Sequence, residues 1–211
     1  MEHPLKTAQL TVESPEDWRR QGLWVFGYGS LMWNPGFYFE DQKVARCAGV
    51  HRSFCVWSVH HRGTYQMPGL VLGLKSGGVC DGRLYYVPPT HVEETIFYLR
   101  KREQVTRVYR EVFRRVDCIE GSGRFVRALT FIADRNHPQY AAKLPIDKQA
   151  EIIKRAEGHS GCNLCYLATT VRHLNEQNIK DKHLNRILVL TKSGHRLCSE
   201  GNLKYYKLDR F

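Results

Sequence analysis

Two short stretches of this chain combine residue types that can move a proton and hold a developing negative charge. The first surrounds Glu103. Pro88-Pro89-Thr90-His91-Val92-Glu93 predicts a strand stop and then a helix start, with Thr90 as N-cap and Glu93 three residues on completing a capping box. Val92, Ile96 and Leu99 follow at spacings of four and three, and the next position on that apolar stripe, four further on, is Glu103. A carboxyl group aimed at the interior loses hydration, and near a helix C-terminus it also meets the negative end of the helix dipole. Both effects raise its pKa and suit it to accepting protons. A rotation by one residue would instead leave Glu103 in water beside Arg100, Arg102 and Arg107, which would depress the pKa. Spacing leaves the direction open.

The second stretch is Gly27-Tyr28-Gly29-Ser30, reached directly from the apolar run Leu23-Trp24-Val25-Phe26. Two glycines around an aromatic residue at a strand exit let successive backbone N–H groups turn toward one point, an arrangement that can hold a carboxylate or an oxyanion. The same spacing also fits a tight turn over a buried Tyr28. It is not a dinucleotide fingerprint, since the third glycine and following helix are missing, nor a P-loop, since no Gly-Lys-Ser or Gly-Lys-Thr follows. Nor is Ser30 a hydrolase nucleophile, because Tyr28 and Met32 occupy the places where a nucleophile elbow needs glycine.

Seven cysteines, at 47, 55, 80, 118, 162, 165 and 198, form an odd set without the density of a secreted disulfide scaffold, so reduced thiols are expected. Cys162-x-x-Cys165 invites a redox or zinc reading, but a structural zinc site needs two more ligands and no second such pair exists. Leu164, Leu167, Ala168, Val171 and Leu174 place this pair on a helix with one apolar face, which favours packing. No metal is expected.

These residues need a scaffold, and the composition provides for one. With 211 residues, 42% hydrophobic and 25% charged, the chain can bury a sizeable core. Residues 1–17 read as a polar lead-in, with Ser14 to Asp17 able to open a short helical turn, and residues 18–211 read as one domain. No run of about eighteen apolar residues is present, and the first eighteen residues lack a signal-peptide pattern; a cytoplasmic protein without membrane contact is expected. The net charge of +11 favours anionic ligands. Basic residues between Val105 and Val116 alternate with Val108, Val112 and Val116 as on the outer face of a strand, and no nucleic-acid module accompanies them, so nucleic-acid binding is not expected.

Strands are predicted at Leu23 to Phe26, Phe54 to Val59, Gly69 to Leu74, Arg83 to Val87, Tyr109 to Val116 and Phe125 to Ala133. Glycine turns separate several of them, at Ser76-Gly77-Gly78 and Glu120-Gly121-Ser122-Gly123. Helical periodicity marks Asp147 to Glu157, ending at Gly158, then Asn163 to Gln177 and Asp181 to Leu190. The class is α+β: a mostly antiparallel sheet curled toward a barrel, one central helix and a helical C-terminal third.

Taken together, Val25 to Trp33, His61-Arg62-Gly63-Thr64, Pro68 to Leu74, Leu99 to Tyr109, His137-Pro138-Gln139-Tyr140, Ser160-Gly161, Tyr166-Leu167 and Thr170 to Leu174 resemble the ChaC-like γ-glutamylcyclotransferases, bacterial-type members above all. The resemblance runs from about Leu23 to Leu190. It implies the γ-glutamylcyclotransferase fold around a small β-barrel and conversion of a γ-glutamyl amide, typically glutathione, to 5-oxoproline and cysteinylglycine without a cofactor. It assigns the catalytic acid/base to Glu103 and substrate binding to Phe26, Gly27, Tyr28, Gly29, Ser30, Leu31, Tyr109 and Tyr140. For the two tyrosines outside the loop, core packing is the competing role. Another γ-glutamyl amino acid or amine as substrate, or a catalytically silent glutathione-binding protein, are the alternatives. Arg107 departs from the pattern where related sequences often have glycine, and Cys162 and Cys165 have no counterpart role.

Overall fold

The computed structural model describes residues 15–119 and 125–192. Most of the polar lead-in and the Glu120 to Gly123 turn therefore lie outside the described residues. In chain order the elements are helix α1 (Pro15–Gln21), strand β1 (Leu23–Gly27), a 3-10 turn (Ser30–Met32), strands β2 (Asp41–Ser58) and β3 (Gly69–Val87), and a second 3-10 turn (Pro89–His91). Helix α2 (Val92–Glu103), strands β4 (Tyr109–Cys118) and β5 (Phe125–Ala133) and helix α3 (Ile146–Arg155) come next. A two-residue hairpin, β6 (Glu157–Gly158) and β7 (Gly161–Cys162), then leads into helices α4 (Asn163–Glu176) and α5 (Lys182–Lys192).

Five strands close a barrel in the order β1-β3-β2-β4-β5. The β1/β3 and β2/β4 pairs are antiparallel, and β1 meets β5 in parallel at Val25↔Leu129. The barrel, the central helix and the helical C-terminal third are as the sequence predicts. Strands β1 to β4 run longer than predicted, and β5 has the predicted bounds. β3 runs through Ser76-Gly77-Gly78 without a break, because both glycines take positive φ (91° and 79°) inside the strand and His51 Nδ1 meets the Gly77 carbonyl at 2.7 Å.

The described residues divide into two compact units. In the first, which contains residues up to Arg52 and Leu74–Ile132, the wholly buried strand β1 feeds a core of Trp18, Leu23, Val25, Tyr85, Leu129 and Phe131. The predicted stripe of α2 faces the same cluster, with Val92, Ile96 and Leu99 all buried. At ~1.5–3 kcal/mol for each such side chain, this burial fixes the rotation of the helix.

The predicted capping box does not form. His91 is the N-cap residue without a side-chain cap bond, Thr90 Oγ1 turns to His91 Nδ1, and Glu93 pairs instead with Arg19 at 2.7 Å. The Pro89–His91 turn moves the start of α2 two residues past the predicted cap, so Thr90 lies inside that turn.

The second unit comprises Ser53–Gly73 and the described residues from Ala133 onward. Here α3, α4 and α5 pack on one another through buried Ile153, Leu167, Leu174, Leu184 and Ile187. Helix α3 ends at Arg155 rather than near Gly158, since Ala156 is already extended (ψ 138°) and Glu157 enters the β6–β7 hairpin. The expectation of reduced thiols is corrected at one place. Cys162 and Cys165 are joined in a disulfide, because an extended residue before the helix and one in its first turn bring their Cα atoms to 5.3 Å, within bonding reach.

Candidate active site

Glu103 is the last residue of α2, and the helix that buries Val92, Ile96 and Leu99 carries its side chain inward to 17% exposure. Rotation into bulk water is thereby excluded. Burial raises the pKa of the carboxyl group, while the charge of Arg102 and its hydrogen bond oppose that rise; the net direction is upward. Arg102 Nε lies 3.2 Å from Glu103 Oε1, and both side chains are largely enclosed.

The same guanidinium reaches the loop after β1. Arg102 Nη2 donates to Ser30 Oγ at 2.9 Å, and Nη1 donates to the Asn34 carbonyl at 2.7 Å and to Tyr98 Oη at 2.8 Å. A planar fork with five donors in fixed directions can serve three acceptors at once, which an ammonium on a flexible stem cannot do with the same geometry. Acid and loop are thus held by one side chain.

The loop itself is fixed from three sides. Thr130 Oγ1 donates to the Phe26 carbonyl at 3.0 Å, and Arg52 Nε donates to the Tyr28 carbonyl at 2.5 Å. Tyr85 Oη divides its one hydrogen between the Leu31 and Met32 carbonyls at 2.9 and 3.0 Å. Burial pushes the Tyr85 hydroxyl up to about 12, so it stays a donor at ordinary pH. Gly27 must lack a side chain, since a Cβ there would stand 2.9 Å from Leu31 Cβ.

After Gly29 the chain winds into the Ser30–Met32 turn, whose first bond runs from the Met32 N–H to the Gly29 carbonyl at 2.9 Å. The N–H groups of Ser30 and Leu31 precede that bond and have no partner within the turn. The arrangement can therefore present two backbone donors and a hydroxyl on a loop that Arg102 ties to a carboxyl group of raised pKa.

The predicted residues separate by role. Gly29 and Ser30 are partly exposed, while Phe26, Gly27, Tyr28 and Leu31 are buried and shape the loop from below. Tyr109, at the start of β4, is partly buried against the core of the first unit, and Val108 beside it is buried. Tyr140 belongs to the second unit, where it bridges Val56 and donates its N–H to the His137 carbonyl at 2.8 Å. Arg102, Arg52 and Tyr85 were not singled out by spacing. Only Arg102 had a local signal, its position beside Glu103; the other two reach the loop from 24 and 54 residues away.

Arg107 explains its own irregularity. It adopts φ 60°, a left-handed conformation suited to glycine, four residues past Glu103 in the connection to β4. The chain keeps the turn geometry and carries a side chain there.

Among the described residues no helix is long and apolar enough to cross a membrane, and no group of three or more His, Cys, Asp or Glu residues is placed to hold a metal ion.

Residues 23–193 match the protein family described as ChaC-like protein. The chain is 37% identical over 170 residues to the glutathione-specific gamma-glutamylcyclotransferase of Escherichia coli (strain K12), covering 81% of this chain and 73% of that one. It is 35% identical over 191 residues to glutathione-specific gamma-glutamylcyclotransferase 1 of Rattus norvegicus, covering 87% and 85%. A yeast crystal structure of the glutathione-specific cyclotransferase superposes with a TM-score of 0.76 at 24% identity, covering 82% of this chain and 96% of the other, and shows the shared fold.

Proposed function

The chain belongs to the ChaC-like protein family, and on that premise we propose that it is a γ-glutamylcyclotransferase that degrades glutathione to 5-oxoproline and cysteinylglycine, with Glu103 as general acid/base. The observation that carries this reading is the enclosed carboxyl of Glu103 joined through Arg102 to Ser30 of the glycine loop.

The substrate supplies both reacting groups. Its α-amino nitrogen attacks its own γ-carbonyl carbon, and closure of a five-membered lactam within one molecule gains the large effective concentration of an intramolecular reaction. Three tasks remain. A proton must leave the α-ammonium, negative charge on the carbonyl oxygen must be stabilised, and the departing cysteinyl nitrogen must receive a proton.

Glu103 carries out the first and last. Its raised pKa lets the carboxylate take the ammonium proton and return it to the leaving amine, a contribution of ~10²- to 10⁴-fold. Backbone donors of the Tyr28 to Leu31 loop hold the γ-glutamyl head and the developing oxyanion, and donors fixed in advance do this without reorganisation. Arg102 keeps Glu103 and Ser30 in register. Tyr109 completes substrate binding in this reading. The chemistry asks for no metal and no organic cofactor, and its substrate is the thiol that keeps the cytoplasm reduced, which favours a cytoplasmic location.

Purified protein incubated with glutathione should release 5-oxoproline and cysteinylglycine in equal amounts, with smaller kcat/KM on γ-glutamyl amino acids or amines. Saturable glutathione binding without product would point to a silent binding protein.

A further inference from the structure

The cysteine pair at the head of α4 plays no part in the chemistry above. Cys162 ends the β6–β7 hairpin in an extended conformation (φ −67°, ψ 146°) and is the N-cap of a fourteen-residue helix. Its sulfur accepts the Cys165 backbone N–H at 3.0 Å and is also bonded to the Cys165 sulfur. Both residues are partly exposed, whereas Cys47, Cys55 and Cys80 are buried.

The surrounding structure holds this turn in place from both sides. Asn163, wholly buried between the two cysteines, donates Nδ2–H to the Leu70 carbonyl and accepts the Leu70 N–H, each at 2.7 Å. The Asn163 N–H reaches the Ala156 carbonyl at 2.9 Å. Arg62 donates through Nη1 to the Ser160 carbonyl, and His61 Nδ1 lies 3.0 Å from Ser160 Oγ. The first turn of α4 is therefore anchored by contacts that do not pass through the sulfur–sulfur bond. None of these hydrogen bonds is lost when that bond is broken.

We propose that Cys162 and Cys165 form a thiol–disulfide exchange site whose partners are small-molecule thiols and their disulfides. An external thiolate attacks the Cys165 sulfur, forms a mixed disulfide there and expels Cys162 as a thiolate. A second external thiolate attacks the outer sulfur of the mixed disulfide, releases the external disulfide and expels Cys165. Two thiols lose two electrons and two protons, and the two cysteines gain them.

Cys162 is the better leaving sulfur because its thiolate keeps the Cys165 N–H and faces the positive end of the helix dipole. In the reverse direction the Cys165 thiolate attacks an external disulfide and expels one external thiolate, and the Cys162 thiolate then attacks the Cys165 sulfur of the adduct, re-forms the internal bond and expels the other.

The test uses the full-length chain equilibrated with 2-mercaptoethanol and its disulfide at a series of ratios. Neither compound carries a γ-glutamyl group, so the outcome is independent of the proposed cyclotransferase activity. After acid quench and alkylation, mass spectrometry of the Cys162–Cys165 peptide should give a reversible, single-midpoint transition with an unchanged circular-dichroism spectrum. A pair that stays fully alkylated at every ratio, or that is reduced only as the spectrum collapses, overturns the proposal. In Cys165→Ser, the alkylation of Cys162 should have its pH midpoint below the ordinary thiol value of about 8.5. A midpoint at or above that value overturns the assignment of Cys162 as leaving sulfur and nucleophile. Should this variant fail to fold, the wild-type titration decides.

Discussion

Arg102 and Ser30, seventy-two residues apart in sequence, are joined by a hydrogen bond of 2.9 Å from Nη2 to Oγ. The same guanidinium contacts Glu103, so the spacing between acid and loop is set by a rigid plane rather than by two independent side chains.

Removal of the acid should slow the reaction strongly and spare the fold. Glu103→Gln is expected to cut 5-oxoproline release by ~10²- to 10⁴-fold, with an unchanged circular-dichroism spectrum. Near wild-type turnover from a well-folded variant would refute the assigned role.

The raised pKa of Glu103 has a definite sign in stability. Since the folded state holds the proton more tightly than the unfolded chain, the carboxyl group favours folding at low pH, and this contribution is lost as pH rises through the folded pKa. The difference in Tm between Glu103→Gln and wild type should therefore move in favour of glutamine as pH is raised from about 4 toward neutrality. Thermal melts across that range check this, and a difference moving the other way would mean that the ion pair with Arg102 outweighs burial. Activity should rise over the same window as the base ionises.

Arg102→Lys keeps a positive charge but loses the fork that serves Ser30, Asn34 and Tyr98 together. A kcat loss of tenfold or more, on the order of 1.4 kcal/mol, is expected with less change in KM. Arg102→Gln removes the charge that lowers the Glu103 pKa, so the acid limb of the pH–rate profile should shift to higher pH. An unmoved limb would show that Arg102 does not act on the carboxyl.

Tyr85→Phe leaves the Leu31 and Met32 carbonyls without their buried donor. Denaturant unfolding should show a loss of about 1–3 kcal/mol. Rate should fall as well, because the loop that presents Ser30 loses one of its anchors.

Arg107 occupies a backbone conformation that glycine adopts without strain. Arg107→Gly should change stability by less than about 1 kcal/mol, relief of strain being offset by the greater freedom of the unfolded chain. Arg107→Val should lose more than about 1 kcal/mol, since a β-branched side chain is poorly tolerated at positive φ. Equal melting temperatures for the two variants would show that the turn relaxes.

The position of Glu103 was legible in sequence because helical periodicity is a local property: Val92, Ile96 and Leu99 declare the buried face, and the fourth position follows by geometry. The glycine loop was equally visible, since its residues are contiguous. Sequence spacing could not decide how the Glu103 pKa moves, because burial and the neighbouring arginine act in opposite senses and only the folded environment ranks them. Nor could it show Arg52 and Tyr85 supporting the loop, the unbroken course of β3 through Gly77-Gly78, or the bond between Cys162 and Cys165. Each of these depends on where separate segments, or the backbone turn between two residues, come to lie in space. Periodicity and motif fix which face of an element is buried; tertiary packing alone fixes which distant atoms meet there.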